Sequence, residues 1–103
     1  MDEQETVEAF LETHDLEAPP AYCLLDLVSE LGAVAKDALE STEYGSDPAS
    51  LEVNEDELGD ALFSLLALSA SLEIDASDAL VIALEKYEGR LESGSSPGST
   101  SDL

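Results

Sequence analysis

The chain has 103 residues, of which 25 are Asp or Glu and 3 are Lys or Arg, so its formal net charge at pH 7 is −22. This length suits one domain, and a hydrophobic content of 44% supplies enough apolar side chains for a core. Nucleic acids and anionic membrane surfaces attract Lys and Arg, so the composition argues against both as partners. The acidic N-terminus lacks the basic segment of a secretory signal, and Cys23 has no second cysteine for an intrachain disulfide. We therefore expect a cytoplasmic protein.

The acidic residues are spread along the whole chain rather than gathered in one segment. This dispersion, with few lysines and an aromatic content of 5%, is typical of proteins from extreme halophiles such as haloarchaea. At about 1 M salt the Debye length is roughly 3 Å, so repulsion between the acids is largely screened. The alternative is an acidic protein of low-salt cells that binds a basic partner, for which the sequence shows no clustered acidic face.

Hydrophobic periodicity predicts helices and no strands. Apolar side chains recur at helical spacing over residues 4–13 and 22–40, and the apolar band of the second segment is broad enough to pack on two neighbours. Pro19 and Pro20 break the chain between these helices, and Pro20 suits the first turn of the second.

A third helix is predicted after a polar loop. Asn54 is a favourable N-cap, and Glu57, three residues later, is the expected partner of a capping box. The helix continues to about Leu72 and is apolar on most sides after Asp60, so we expect it to be central and most buried.

Asp75 or Ser77 is expected to cap a fourth helix that continues to about Leu91. Residues 93–103 are rich in Gly and Ser and contain no apolar anchor, so a disordered tail is predicted after a helical domain of residues 1–92. The sequence thus predicts an all-α, antiparallel bundle of about four helices.

The tripeptide Glu-Leu-Gly occurs in both the second and the third helix, beginning at Glu30 and at Glu57. A glycine inside a helix costs about 1 kcal/mol relative to alanine. A close approach of the two helix backbones at Gly32 and Gly59 would explain why glycine is present at both positions despite this cost. Antiparallel packing of the helices is then expected to bring Glu30 and Glu57 together across a narrow groove.

Three acidic residues are candidate ligands of a metal ion. Glu57 and Asp60 lie three residues apart and share a helix face, and Glu30 adds a carboxylate from a second helix. Mg²⁺ prefers oxygen ligands and is usually held by one or two carboxylates together with substrate phosphates. The pattern therefore favours a site for a metal ion and a phosphate.

Three segments carry a family resemblance: residues 27–36 (LVSELGAVAK), 57–63 (ELGDALF) and 79–90 (ALVIALEKYEGR). Together they resemble MazG-like nucleoside triphosphate pyrophosphohydrolases, and the resemblance covers roughly residues 22–92. It implies an all-α dimer or tetramer that uses Mg²⁺, or Mn²⁺, to hydrolyse a nucleoside triphosphate to the monophosphate and pyrophosphate.

The metal signature of this family is Glu-x-x-Glu followed by Glu-x-x-Asp. The Glu-x-x-Asp half is intact as Glu57 and Asp60. In the Glu-x-x-Glu half, Glu30 matches the first acid, but Ala33 occupies the position of the second acid. Alanine supplies no oxygen ligand. Asp37, one turn beyond Ala33, is the candidate for a further ligand. The alternative is a catalytically weakened or inactive relative that keeps the helical bundle as a dimerisation scaffold.

The resemblance also implies roles for individual residues. Glu30, Glu57 and Asp60 would hold the metal ion, with Glu30 the preferred general base. Lys86 and Arg90, four residues apart on the last helix, would lie near the substrate phosphates. The alternatives are that Glu57 and Asp60 only complement the helix dipole, and that the two cations only form surface ion pairs.

Overall fold

The computed structural model describes residues 2–94, and this part of the chain contains four α-helices, one 3₁₀ turn and no strand. The predicted all-α fold is confirmed. Residues 95–103 of the predicted tail lie outside the described residues. Within residues 2–94, no helix combines the length and the apolar character needed to cross a membrane. The elements are α1 (Asp2–Thr13), α2 (Pro20–Ser41), the 3₁₀ turn Pro48–Ser50, α3 (Glu55–Ser71) and α4 (Ala76–Glu92).

The starts of α2 and α4 follow from local sequence. Pro20 occupies the first turn of α2, where a missing backbone N–H costs no hydrogen bond. Asp75 precedes α4, and its carboxylate accepts hydrogen bonds from the backbone N–H groups of Ser77 and Asp78 at 2.8 and 3.2 Å. Both predicted start signals are therefore confirmed, with Asp75 rather than Ser77 as the cap.

The predicted capping box at the start of α3 is wrong. Asn54 is the N-cap residue, but its side chain makes no capping hydrogen bond. The backbone N–H of Asn54 donates instead to Asp37 Oδ2 on α2, at 3.2 Å. Because Asp37 of α2 already accepts from this N–H group, the Glu57 carboxylate is not needed as its acceptor. The Glu57 side chain is directed towards α2 instead.

Helix α3 is the centre of the fold, as predicted, because both α2 and α1 pack against it. Its buried side chains include Leu66, which is only 2% exposed, and Ala67. These two residues form a small core with Val7 of α1, and Leu11 and Ala76 pack at its edge. The core of a single chain is thus narrow.

A buried glutamine fixes the direction of α4. Gln4 of α1 is 6% exposed, and its amide nitrogen donates to the carbonyl oxygen of Ile74 at 2.8 Å. Its amide oxygen accepts from the backbone N–H of Ala76 at 2.7 Å. Ile74 lies in the short connection between α3 and α4, and Ala76 is the first residue of α4, so α1 holds the start of α4 in place.

Beyond its first turn, α4 makes only sparse contacts with the other helices. None of its residues is buried. The radius of gyration is 16.5 Å, against about 13 Å for a compact domain of 100 residues. A single chain therefore leaves α4 without a packing partner along most of its length.

The expected close approach of helix backbones at the two Glu-Leu-Gly segments is absent. A Cβ atom built on Gly32 or Gly59 would have no neighbouring atom within 4 Å. Both glycines lie on the outer sides of their helices, away from the α2–α3 contact. The prediction of tight packing at these positions is wrong for the single chain.

Candidate metal and phosphate site

Antiparallel packing of α2 and α3 sets the register of the site. Near the end of α2, the backbone N–H of Glu52 donates to Ser41 Oγ at 2.9 Å. One turn earlier on α2, Asp37 accepts from the N–H of Asn54. The next side chain of α3 that faces α2 is Glu57, so Asp37 lies opposite Glu57.

The carboxyl groups of Asp37 and Glu57 face each other across this contact, close enough for each to shift the pKa of the other. Glu57 Oε2 is buried, and no N–H or O–H group of the described residues donates to it. Two ionised carboxylates would repel each other here and leave this oxygen unsatisfied. A proton or a cation between the two groups removes both penalties.

The pKa values of the two carboxyl groups shift in opposite directions. The hydrogen bond with Asp37, followed by partial burial and by the charges of Asp37, Asp56 and Asp60, raises the pKa of Glu57 to about 7. The same hydrogen bond, together with the N–H of Asn54, lowers the pKa of Asp37. Glu57 is thus the member that carries the shared proton.

The structure separates Glu30 from the pair more than the sequence pattern suggested. Glu30 precedes Asp37 by seven residues, which is about two helical turns and roughly 10 Å along α2. It lies half-buried on the same face of α2 as Ala33 and Asp37. The residue opposite Glu57 is therefore Asp37, the candidate ligand that the sequence pattern supported least.

Asp60 lies one turn beyond Glu57 on α3, near enough for its charge to raise the pKa of Glu57. Within residues 2–94, no group of three or more His, Cys, Asp or Glu side chains is arranged to hold a metal ion. The described side chains thus bring together two carboxyl groups, with Asp60 and Glu30 at greater distance.

Open space adjoins the pair on the side of α2. A shallow cavity of about 580 Å³ is lined by Asp37, Glu40, Ser41, Glu52, Val53 and Asn54. Asp37 thus faces both Glu57 and this cavity. The space is large enough for a hydrated cation.

Lys86 and Arg90 lie on α4 and are not brought to this site within one chain. Both cations approach the ring of Tyr87, with Lys86 Nζ 5.2 Å and Arg90 Cζ 5.6 Å from its centroid. Each contact is a cation–π interaction. The two predicted phosphate ligands are therefore close to each other but separated from the carboxyl groups by the direction of α4.

A second and larger concavity, which we term the α1–α3 groove, lies between α1, α2 and α3 and has a volume of about 750 Å³. Phe10 of α1 and Phe63 of α3 meet edge to face at its wall, with their ring centroids 5.8 Å apart. The buried Cys23 and Asp26 border it on α2. The groove could not be predicted from the sequence, because its shape depends on the angle between α1 and the α2–α3 pair.

Comparison with known proteins identified no relative of the chain: no protein-family model, no curated protein and no solved structure matches it.

Proposed function

We propose that this protein is a Mg²⁺-dependent nucleoside triphosphate pyrophosphohydrolase of the MazG-like type, releasing a nucleoside monophosphate and pyrophosphate. The observation that carries the proposal is the pairing of Asp37 with Glu57. These two carboxyl groups come from different helices, and one of their oxygens is buried without a donor. Glu57 lies within one of the segments that resemble the family, and Asp37 directly follows another.

The chemistry of the pair fits a magnesium ion. All available donors are carboxylate oxygens, which Mg²⁺ prefers, and proteins usually hold this ion through one or two carboxylates plus substrate phosphates. Two facing carboxylates therefore suffice when the substrate brings phosphate oxygens. Asp37 and Glu57 would hold the ion directly, and Asp60 and Glu30 would add negative charge or ligands bridged by water. When bound, the ion would neutralise phosphate charge and lower the pKa of a bound water.

Asp37 and Glu57 would have different roles at the site. Asp37 has a lowered pKa and is ionised at neutral pH, so it is a permanent anionic ligand. Glu57, with a pKa of about 7, exchanges its proton near neutral pH. A metal ion held by Glu57 would displace this proton, so Glu57 would act as a ligand in the loaded site. Glu30, which the resemblance implies as the general base, would then be the carboxylate available for that role.

The second candidate function is a non-catalytic helical scaffold. The observation that favours it is Ala33, which stands between Glu30 and Asp37 on the same face of α2 where the family has a carboxylate. A scaffold of this kind would keep the α2–α3 pair and the self-association surface without turning over nucleotides.

Both candidate functions, the pyrophosphohydrolase and the scaffold, involve self-association of the chain. The outer face of α2 and α3 carries large apolar side chains that are about half exposed, including Val28 at 59% and Leu62 at 49%. They recur every three or four residues, so each helix presents a continuous apolar stripe. A second copy that covers this face would form a homodimer or part of a homotetramer. The stripe residues are Leu24, Val28 and Leu31 on α2 and Leu58, Leu62 and Leu65 on α3.

Pyrophosphate release from nucleoside triphosphates, with and without Mg²⁺, tests the proposed activity. The assay is made in molar KCl, where the acidic chain is screened. The native chain is expected to release pyrophosphate only with Mg²⁺, and Glu57→Gln is expected to reduce the rate at least 100-fold. The matched control is Glu55→Gln, an exposed residue in the first turn of α3. A folded native chain with no activity towards any nucleoside triphosphate would support the scaffold instead.

A further inference from the structure

We propose that the α1–α3 groove binds an amphipathic organic cation, in which an ammonium group is attached to an apolar or aromatic body. Three features of the groove support this ligand class. Its walls are apolar, a buried hydroxyl group without a partner lines it, and all of its charged lining residues are acidic. Neither Asp37 nor Glu57 lines the groove, so the proposal does not depend on the pyrophosphohydrolase activity.

The groove has the size of a small-molecule site. Its volume of about 750 Å³ lies within the range of about 300–1,000 Å³ that is usual for ligand pockets. Helices α1 and α3 form two of its sides. The start of α2 and the connection before it contribute Leu16, Cys23 and Asp26. A ligand in the groove would therefore be contacted from several sides.

Large apolar side chains of the groove are left partly in water. Phe10, Leu16 and Phe63 line it and are 47%, 54% and 37% exposed. The two phenylalanine rings meet edge to face. A hydrophobic ligand that covers these side chains is favoured by the apolar area it removes from water, and aromatic rings also attract a nearby cation. The walls therefore select a ligand with an apolar body.

Ser64 places a buried polar group in this apolar surface. The residue lines the groove and is only 8% exposed. Ser69 and Ser71 of the same helix donate to backbone carbonyl groups at 3.0 and 2.7 Å. The hydroxyl group of Ser64 has no hydrogen-bond partner among residues 2–94. A buried hydroxyl group without a partner is costly, so a ligand with a polar atom at this position is favoured.

The charged groups at the groove favour a cation. Five acidic residues and no basic residue of the described chain line it: Glu8, Glu12, Glu17, Asp26 and Glu73. Glu8 and Glu12 lie four residues apart on α1, a spacing at which like charges repel each other. An ammonium group among these carboxylates would relieve the repulsion, whereas the phosphates of a nucleotide would add to it. The groove is thus suited to a ligand other than the proposed substrate.

Three fluorescent probes that share one aromatic body test the proposal. Dansylcadaverine carries an ammonium group, dansyl pentylamide is neutral, and dansyl-ε-aminocaproate is an anion. Dansyl fluorescence increases when the ring system leaves water, so each probe is titrated with the native chain in molar KCl, without nucleotide or metal. We expect one saturable site that binds the cation about threefold more tightly than the neutral probe, which is the effect of an exposed ion pair, and the anion most weakly.

Ala70→Phe tests whether the probe occupies the groove, because Ala70 lines it and a phenyl ring would fill part of it. The substitution should weaken binding of dansylcadaverine about tenfold or more. Ala79→Phe, which adds the same ring at an exposed position of α4, should leave binding unchanged. Circular dichroism establishes that both variants keep their helices.

Ser64→Ala is a second variant that does not add volume to the groove. It should weaken binding about threefold, because the polar atoms of the probe lose their partner. It should also keep or raise the melting temperature of the free chain, since an unpartnered buried hydroxyl group is removed. A purely structural role of Ser64 would instead lower the melting temperature.

The whole chain is strongly acidic, so a charge control is needed. Glu12→Gln with Asp26→Asn removes two charges at the groove, and Glu85→Gln with Glu88→Gln removes two exposed charges of α4. The preference for the cationic over the neutral probe should fall about twofold in the first double variant and remain in the second.

Absence of saturable binding would overturn the proposal, and so would unchanged binding to a folded Ala70→Phe variant. Equal affinities for the three probes would overturn the assignment of a cation. The same loss of preference in both double variants would do so too, because the net charge of the chain would then explain it. None of these measurements involves Asp37, Glu57 or a nucleotide, so the enzymatic proposal stands or fails separately.

Discussion

The carboxyl groups of Asp37 and Glu57 face each other across the contact of α2 and α3, and each shifts the pKa of the other. A proton shared by the two groups would remove the repulsion between two ionised carboxylates in an extremely acidic protein. The same place is suited to a divalent cation, which would replace the proton and relieve the repulsion more completely. The pair links the stability of the fold to the proposed binding of metal.

Stability is expected to fall as the pH rises from about 5 to 8. Glu57 has a pKa near 7 in the folded chain, against 4.5 for an ordinary glutamate. Between these values the folded chain holds a proton that the unfolded chain has lost, so raising the pH favours unfolding. The lowered pKa of Asp37 acts in the opposite sense, but only at more acidic pH.

Urea unfolding at several pH values, without divalent metal, measures this effect. Glu57→Gln should flatten the decline, because glutamine keeps a donor towards Asp37 at every pH. The exposed Glu55→Gln variant should retain the native profile. Equal slopes for the native chain and Glu57→Gln would show that the pair does not hold the proton.

Gln4→Ala is expected to lower the free energy of unfolding by about 2 kcal/mol. The substitution leaves the carbonyl group of Ile74 and the N–H of Ala76 without their side-chain partner, and an unsatisfied buried group costs about 1–3 kcal/mol. Denaturant unfolding in molar KCl is the measurement. Glu3→Ala, an exposed neighbour on α1, should change stability by less than about 0.5 kcal/mol. Equal effects of the two substitutions would contradict the role of Gln4.

The helices could be predicted from the sequence because their signals are local. Apolar periodicity located all four, and Pro20 and Asp75 marked two of the starts. The capping box failed for a non-local reason, since the acceptor for the Asn54 N–H comes from α2. A local pattern cannot show that a distant helix supplies a better partner.

The pairing within the site could be predicted only in part. Helical spacing placed Glu30 and Asp37 on one face of α2, and Glu57 on α3. Which of them meet depends on the register between the helices, which is set by the extension of α2 to Ser41 and by the path of the following loop. The position of α4 could not be predicted from the sequence, because within residues 2–94 this helix makes only sparse contacts with the other helices.

Gly32→Ala should raise the free energy of unfolding by about 0.5–1 kcal/mol. Gly32 lies inside α2, its added Cβ would meet no atom within 4 Å, and alanine has the higher helix propensity. Thermal or urea unfolding reports the change. A loss of stability or of native mass would instead indicate that a second copy approaches the backbone at this position.

Ala33→Glu is expected to raise the rate of pyrophosphate release at least tenfold, which corresponds to about 1.4 kcal/mol in the activation barrier. Ala33 is half-buried one turn before Asp37, so a glutamate here adds a carboxylate beside the Asp37–Glu57 pair. Ser29→Glu places the same side chain at an exposed position of α2 outside the apolar stripe and serves as the control. An equal rate in the native chain and both variants would show that the missing acid does not limit the site.

Binding of Mg²⁺ or Mn²⁺ to the native chain, titrated calorimetrically in molar KCl at pH 8 without nucleotide, tests the central claim most directly. We expect one saturable site per chain, with an affinity that increases between pH 6 and 8 as the proton leaves Glu57. Asp37→Asn and Glu57→Gln should each weaken binding at least tenfold, and Glu55→Gln should not. A folded native chain without a saturable site, or one whose affinity is unchanged by Asp37→Asn and Glu57→Gln, would contradict the claim that this carboxyl pair binds a divalent cation.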